Sequence, residues 1–129
     1  MIVLDTSFII DYVRGLDETK DLIRGKYVVT TVISYHEIMT GVKMSKAKRE
    51  EKVFRNFFSE IKILNFDLKS ADISSEIASK LSAIGKSINV MDVLIAGIAI
   101  ANGADAIVTA DRDFLEIARV SDLDVVIYR

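Results

Sequence analysis

Residues 1–10, Met-Ile-Val-Leu-Asp-Thr-Ser-Phe-Ile-Ile (MIVLDTSFII), place one carboxylate between two segments that belong in a core. Ile2, Val3 and Leu4 form a short continuous apolar run, the pattern of a strand buried on both faces, and Phe8 to Ile10 resume it. A bare charge at Asp5 carries a heavy desolvation cost or changes its pKa unless something pairs with it. The partner has to come from elsewhere in the chain.

Outward from that strand, apolar strands alternate with helical patterns. KYVVTTVI (26–33) is rich in β-branched residues, IKIL (61–64) and AIVTA (106–110) are short apolar runs, and DVVIY (124–128) is a final strand. Between them lie a helix through Val13 that Gly15 can stop, a short helix in TKDLIRG (19–25), and one opening at SYHEIMTGV (34–42) with Ser34 at the N-cap. Ser45 to Glu60 is helical, with Val53, Phe54, Phe57, Phe58 and Ile61 at helical spacing. Ile73, Ile77, Leu81 and Ile84 mark a further helix closed by Gly85. MDVLIAGIAIAN (91–102) is a buried helix closed by Gly103, and RDFLEIAR (112–119) a short one. This alternation predicts an α/β/α sandwich of three layers around a central, mainly parallel sheet.

The composition narrows the chemistry. With 129 residues, no proline-rich or Gly/Ser linker and no internal repeat, one domain over 1–129 is expected. Half the residues are hydrophobic, which excludes a disordered chain. The absence of cysteine excludes disulfides, thiolate metal sites and cysteine nucleophiles, and suits a reducing cytoplasm. A single histidine, His36, argues against histidine-rich zinc sites and a histidine-dependent serine triad. A net charge of −2 argues against a wholly basic, nucleic-acid-coating protein but leaves room for a local basic patch. No secretory leader is expected, and the longest apolar run, VLIAGIAIA (93–101), is far short of the roughly 20 residues a membrane span needs.

In parallel sheets of this kind, sites form outside the carboxyl ends of the strands where strand order reverses. Asp5 ends the first strand and Asp111 follows AIVTA at the equivalent end, so two distant carboxylates can meet on one rim. Asp5 could also cap the helix it precedes, although Thr6 or Ser7 could take that task. Glu37 completes a Ser34-x-x-Glu37 capping-box pattern, and it equally stands one turn inside a helix that can aim it at the strand ends; both readings stand. Asp92 is more telling: its helical neighbours Ile88, Ile95, Ala96 and Ala99 are apolar, which favours a functional role over a cap begun at Asn89. Asp111 and Asp113 would each serve as a turn former taken alone, and Thr109 could hydrogen-bond a neighbouring carboxylate or simply occupy the strand. Carboxylates brought together this way repel one another unless a cation neutralises them, and an all-oxygen donor set selects Mg²⁺ or Mn²⁺. Such a site suits phosphodiester hydrolysis.

VLDTSFII (3–10), ISYHEIMTG (33–41), INVMDVLIAGIAIANGA (88–104) and IVTADRDF (107–114), collinear over nearly the whole chain, resemble the PIN-domain family. Within it they are most similar to the ribonuclease toxins of VapBC toxin–antitoxin pairs. The resemblance implies a PIN fold and an acidic site binding one or two Mg²⁺ or Mn²⁺ ions. Asp5, Glu37 and Asp92 match the first three acidic positions and Asp111 the fourth, with Asp113 as its alternative or an auxiliary ligand. Asp5, Asp92 and Asp111 would then hold metal, Glu37 would orient or deprotonate the attacking water, and Thr6, Ser7 and Thr109 match small hydroxyl residues nearby. It further implies an RNA substrate, a homodimer and a VapB-like antitoxin as partner.

KMSKAKREEKVFR (43–55) gathers Lys43, Lys46, Lys48, Arg49, Lys52 and Arg55; interleaved Glu50 and Glu51 favour a solvated helix face over an RNA contact. Three other functions compete with the toxin: an RNA-processing PIN nuclease outside any pair, a PIN-like binding module with a purely capping acidic rim, and a phosphoaspartyl protein using Asp5 as nucleophile. The dehalogenase-like version of the last normally needs a second aspartate two positions on, where this chain has Ser7.

Overall fold

The computed structural model describes residues 1–129. Five strands, β1 (Ile2–Leu4), β2 (Val28–Thr31), β3 (Lys62–Leu64), β4 (Ala106–Thr109) and β5 (Val125–Ile127), form one sheet in the order β3-β2-β1-β4-β5. Every pairing is parallel. The seven helices are α1 (Thr6–Val13), α2 (Asp17–Ile23), α3 (Val32–Ser45), α4 (Lys48–Ser59), α5 (Leu68–Ala83), α6 (Val90–Ala101) and α7 (Asp113–Arg119).

Both faces of the sheet are covered, which is why its strands are apolar throughout rather than alternating. Because side chains alternate along a strand, Val3 and Ile107 enter one core with Ile95, Ile98, Phe114 and Ile117, while Leu4 and Val108 enter the other with Phe8, Ile38, Phe54 and Phe58. The layers are thus α5, α6 and α7 on one side and α1 to α4 on the other. The expected three-layer α/β/α architecture is the observed one.

Strand order reverses between β1 and β4, since the chain builds outward through β2 and β3 on one side and through β5 on the other. The register Ile2↔Ala106, Val3↔Ile107, Leu4↔Val108 brings the residues after β1 and β4, Asp5 and the Thr109–Asp111 segment, to the same rim. The helix opposite that rim is held very close. A Cβ added to Gly97 of α6 would lie 2.7 Å from the Ser70 carbonyl oxygen and 2.8 Å from Ser74 Cβ, so only glycine lets α5 and α6 pack at this spacing.

Two helices close on glycine as expected, and one begins away from its expected cap. Gly85 and Gly103, at φ +71° and +68°, end α5 and α6 in paired closing bonds: Gly85 N to Ser82 O with Lys86 N to Leu81 O, and Gly103 N to Ile100 O with Ala104 N to Ala99 O. The departure is at α3, which begins at Val32 instead of Ser34. Thr31 is its N-cap, and the Thr31 hydroxyl accepts a hydrogen bond from Ser34 N. The strand runs straight into the helix, so Ser34 lies inside the first turn and the Ser34–Glu37 capping box does not form.

Candidate active site

Asp5 occupies the N-cap position of α1 in extended backbone, yet its side chain makes no capping hydrogen bond. Neither Thr6 nor Ser7 takes over, contrary to expectation, because both hydroxyls are engaged elsewhere. Thr6 Oγ1 donates to Glu37 Oε1 at 2.8 Å and lies 3.0 Å from Ser34 Oγ. Ser7 Oγ accepts from Ala110 N at 3.0 Å and lies 3.4 Å from Asp5 Oδ2. Asp5 itself is buried; Thr109 Oγ1 donates to its Oδ2 at 2.6 Å, and its Oδ1 is buried with no hydrogen-bond partner. Burial raises its pKa to about 6; the Thr109 hydroxyl and the Thr6 amide oppose this, and the charges of Glu37 and Asp111 add to it.

Asp92 arrives from the other layer. Asn89 caps α6, its side chain accepting from Met91 N at 2.9 Å, which puts Asp92 in the first turn. An acidic residue there favours the helix dipole, but burial dominates. Asp92 is 7% exposed, and burial, then hydrogen bonding to Asp111 and the charges of Asp5, Asp111 and Glu37, raise its pKa to about 8. Near neutral pH the carboxyl therefore holds a proton that a cation would have to displace.

The loop after β4 supplies the rest. Asp111 N donates to Thr109 Oγ1 at 3.0 Å, and Asp111 Oδ1 accepts from Asp113 N at 2.9 Å, a turn that starts α7. This leaves Asp111 and Asp113 near Asp92: one carboxylate oxygen from each of the three lies within 4.8 Å of the others. Asp5 and Glu37 stand outside that trio but within reach of its field, since each raises the Asp92 pKa. His36, beside Glu37, is exposed.

The residues present fit a hard divalent cation. The donors are all carboxylate oxygens, no thiol exists, and a buried oxygen of Asp5 lacks any partner. Clustered carboxylates of this kind gain most from a cation that relieves their repulsion.

A PIN-domain family model matches residues 2–120. The chain belongs to the PIN-domain family. Among curated relatives, the tRNA(fMet)-specific endonuclease VapC of Shigella flexneri is 26% identical over 116 residues, covering 87% of this chain and 88% of that one. VapBC2 from Rickettsia felis, solved with a DNA fragment from its promoter, matches with a TM-score of 0.85 at 26% identity, over 98% of both chains. FitAcB from Neisseria gonorrhoeae matches with a TM-score of 0.78 at 25% identity, over 97% of this chain and 96% of that one. In this PIN fold no helix is long and apolar enough to cross a membrane.

One member of this PIN site was missed in the sequence. Ser34, fully buried on α3, is within hydrogen-bond distance of the hydroxyl that holds Glu37. Its place in a Ser-x-x-Glu pattern gives no sign of that contact.

Proposed function

We propose that this PIN-domain protein is a Mg²⁺- or Mn²⁺-dependent ribonuclease that hydrolyses RNA phosphodiester bonds internally, and the toxin of a VapBC-type pair. The observation that carries this reading is the convergence of Asp5, Asp92, Asp111 and Asp113 on the β1–β4 rim, with Asp5 and Asp92 held by burial in a state a cation would relieve. Similarity to a VapC endonuclease and to VapBC complexes supports RNA as substrate and a VapB-like antitoxin as partner; a homodimeric assembly is part of the same proposal. A single domain acting in the cytoplasm accords with that reading.

Asp5, Asp92 and Asp111 would hold the ion, with Asp113 as auxiliary ligand. A bound divalent cation supplies Lewis-acid polarisation of the scissile phosphate and lowers the pKa of a water. Glu37, held by the Thr6 hydroxyl, would orient a water and accept a proton from it. Thr109 and Ser7 keep Asp5 in place, so the site is set before substrate arrives.

The purified chain should cleave RNA with Mn²⁺ or Mg²⁺ and stop with EDTA. Asp5→Asn and Asp92→Asn should each lose at least about 100-fold in rate while keeping the wild-type circular-dichroism spectrum. RNA binding by wild type without any metal-dependent cleavage would instead identify a binding module. A short open reading frame just upstream, encoding a DNA-binding protein, would support membership of a pair.

A further inference from the structure

Ser7 and Asp11 stand one turn apart on α1, a spacing that puts both side chains on one helix face. Ser7 is held from the end of β4, by Ala110 N. Asp11 is held from the end of the neighbouring strand, β5: its Oδ2 accepts from Tyr128 OH at 2.5 Å and from Arg129 Nε at 2.7 Å. Two adjacent strands thus grip one face of the helix that begins at Asp5.

Tyr128 also reaches the site from its other side. β4 and β5 pair at Thr109↔Ile127, and Tyr128 N donates to Thr109 O at 3.1 Å. Thr109 is the residue whose hydroxyl donates to Asp5. The Tyr128 ring meets Phe8 edge-on, with centroids 5.1 Å apart, and the Arg129 guanidinium carbon lies 5.9 Å from the Tyr128 ring centroid. Burial, then the Asp11 carboxylate, raise the Tyr128 pKa above the ordinary tyrosine value, while Arg129 and Ser7 oppose this. Its hydroxyl therefore stays a donor across the neutral range.

Apolar packing alone does not set this geometry. Phe8 and Ile9 are fully buried and hold α1 down on the sheet, but burial is non-directional and lets a helix turn or slide slightly. Thr6 ties α1 to α3 and Ser7 ties it to the rim, both in its first turn. Asp11 supplies the tie in its second half, which stops α1 pivoting about the first.

We propose that Tyr128, together with Asp11 and Arg129, is a positioning residue of the acidic site: a clamp after β5 that fixes the seat of α1 and so the approach of Asp5 and Ser7 to Asp92 and Asp111. The inference rests on the ribonuclease reading above. The clamp matters through geometry more than stability. A partly exposed pair adds little to folding, whereas the ligands of a cation have to stay within about 0.5 Å of their places.

The test measures kcat and KM on one RNA, the Mn²⁺ dissociation constant by calorimetry, and Tm, for wild type, Tyr128→Phe, Asp11→Ala and the double variant. Tyr128→Phe keeps the ring against Phe8 and removes only the hydroxyl. Each single variant should lose about tenfold in kcat and about tenfold in Mn²⁺ affinity, with KM within about twofold and Tm within about 5 °C of wild type. Because both act through one bond, the double variant should lose no more than Asp11→Ala alone. Wild-type kcat and Mn²⁺ affinity in Tyr128→Phe, whatever its Tm, overturn the clamp. So do a rise in KM alone, which marks an RNA contact, and losses that multiply in the double variant. If wild type binds Mn²⁺ but cleaves no RNA, the ribonuclease reading fails and the Mn²⁺ constants still decide the clamp; a wild type that binds no Mn²⁺ overturns both.

Discussion

Thr109 Oγ1 donates a 2.6 Å hydrogen bond to Asp5 Oδ2 across 104 residues of sequence. The parallel register of β1 on β4, with Leu4 opposite Val108, places the two residues side by side on one rim. The same hydroxyl accepts from the Asp111 amide at 3.0 Å, so one side chain fixes two of the acidic residues.

Thr109→Val should therefore disturb both while preserving shape. Losing the donor removes the chief interaction that opposes burial, so the Asp5 pKa rises above about 6. The rate of RNA cleavage should fall about 10- to 100-fold and the acid limb of its pH profile should move to higher pH, with Thr109→Ser near wild type. An unchanged pH profile in Thr109→Val would sink this account of the bond.

The raised carboxyls also make stability depend on pH. Asp5 and Asp92 keep their protons in the folded state to about pH 6 and 8, whereas the unfolded chain loses them near the ordinary aspartate value of 3.8. Their contribution is complete below that value and is lost as pH rises through the folded pKa values. Glu51, Asp67 and Asp105 are shifted down, by the Arg55, Ser70 and N-terminal hydrogen bonds respectively, so their contribution is lost only in stronger acid, below about pH 4. In EDTA, Tm should decline from pH 5 to pH 8.5, and Mn²⁺ should raise Tm more at pH 8 than at pH 5.5. A Tm that is flat or rising over that range in EDTA would contradict the burial argument.

Asp111 and Asp113 can be separated by substitution. Asp111 touches the Thr109 hydroxyl through its amide, starts α7 through its side chain and raises the Asp92 pKa; Asp113 has only its place in the trio. Asn at 111 retains the oxygen that receives the Asp113 amide, so α7 should survive. Asp111→Asn is expected to lose about 100-fold or more in metal-dependent cleavage and Asp113→Asn about tenfold, with Mn²⁺ titrations giving the same order. Equal losses would make Asp113 a full ligand.

Gly97→Ala tests the close approach that carries Asp92 to the rim. The new methyl would meet the Ser70 carbonyl and Ser74 Cβ, backbone and near-backbone atoms that cannot rotate away. Destabilisation of about 1–3 kcal/mol is expected in urea unfolding, with weaker Mn²⁺ binding as α6 shifts. A urea midpoint equal to wild type would show that the two helices can separate freely.

Much of this was legible in the chain itself. Continuous apolar runs in place of alternating ones announced a sheet buried on both faces, and Gly85 and Gly103 marked helix ends by the backbone freedom only glycine has there. Asp92 stood out because its helical neighbours are apolar. The start of α3 was misread because serine, threonine and glutamate carry the same capping signals wherever a strand runs directly into a helix. Local pattern could not choose between Thr31 and Ser34.

The sequence by itself determined the elements, their layers and the candidate acidic residues, because periodicity, capping and β-branching act within a few positions of one another. Tertiary structure alone decided the rest: that Thr109 instead of a helix end partners Asp5, that Thr6 holds Glu37, and that Asp111 and Asp113 both reach Asp92. Those relations depend on strand register and on how closely α6 approaches the rim. A carboxylate's pKa is set by the burial and charges that such distant contacts create, and none of these can be read from its neighbours in sequence.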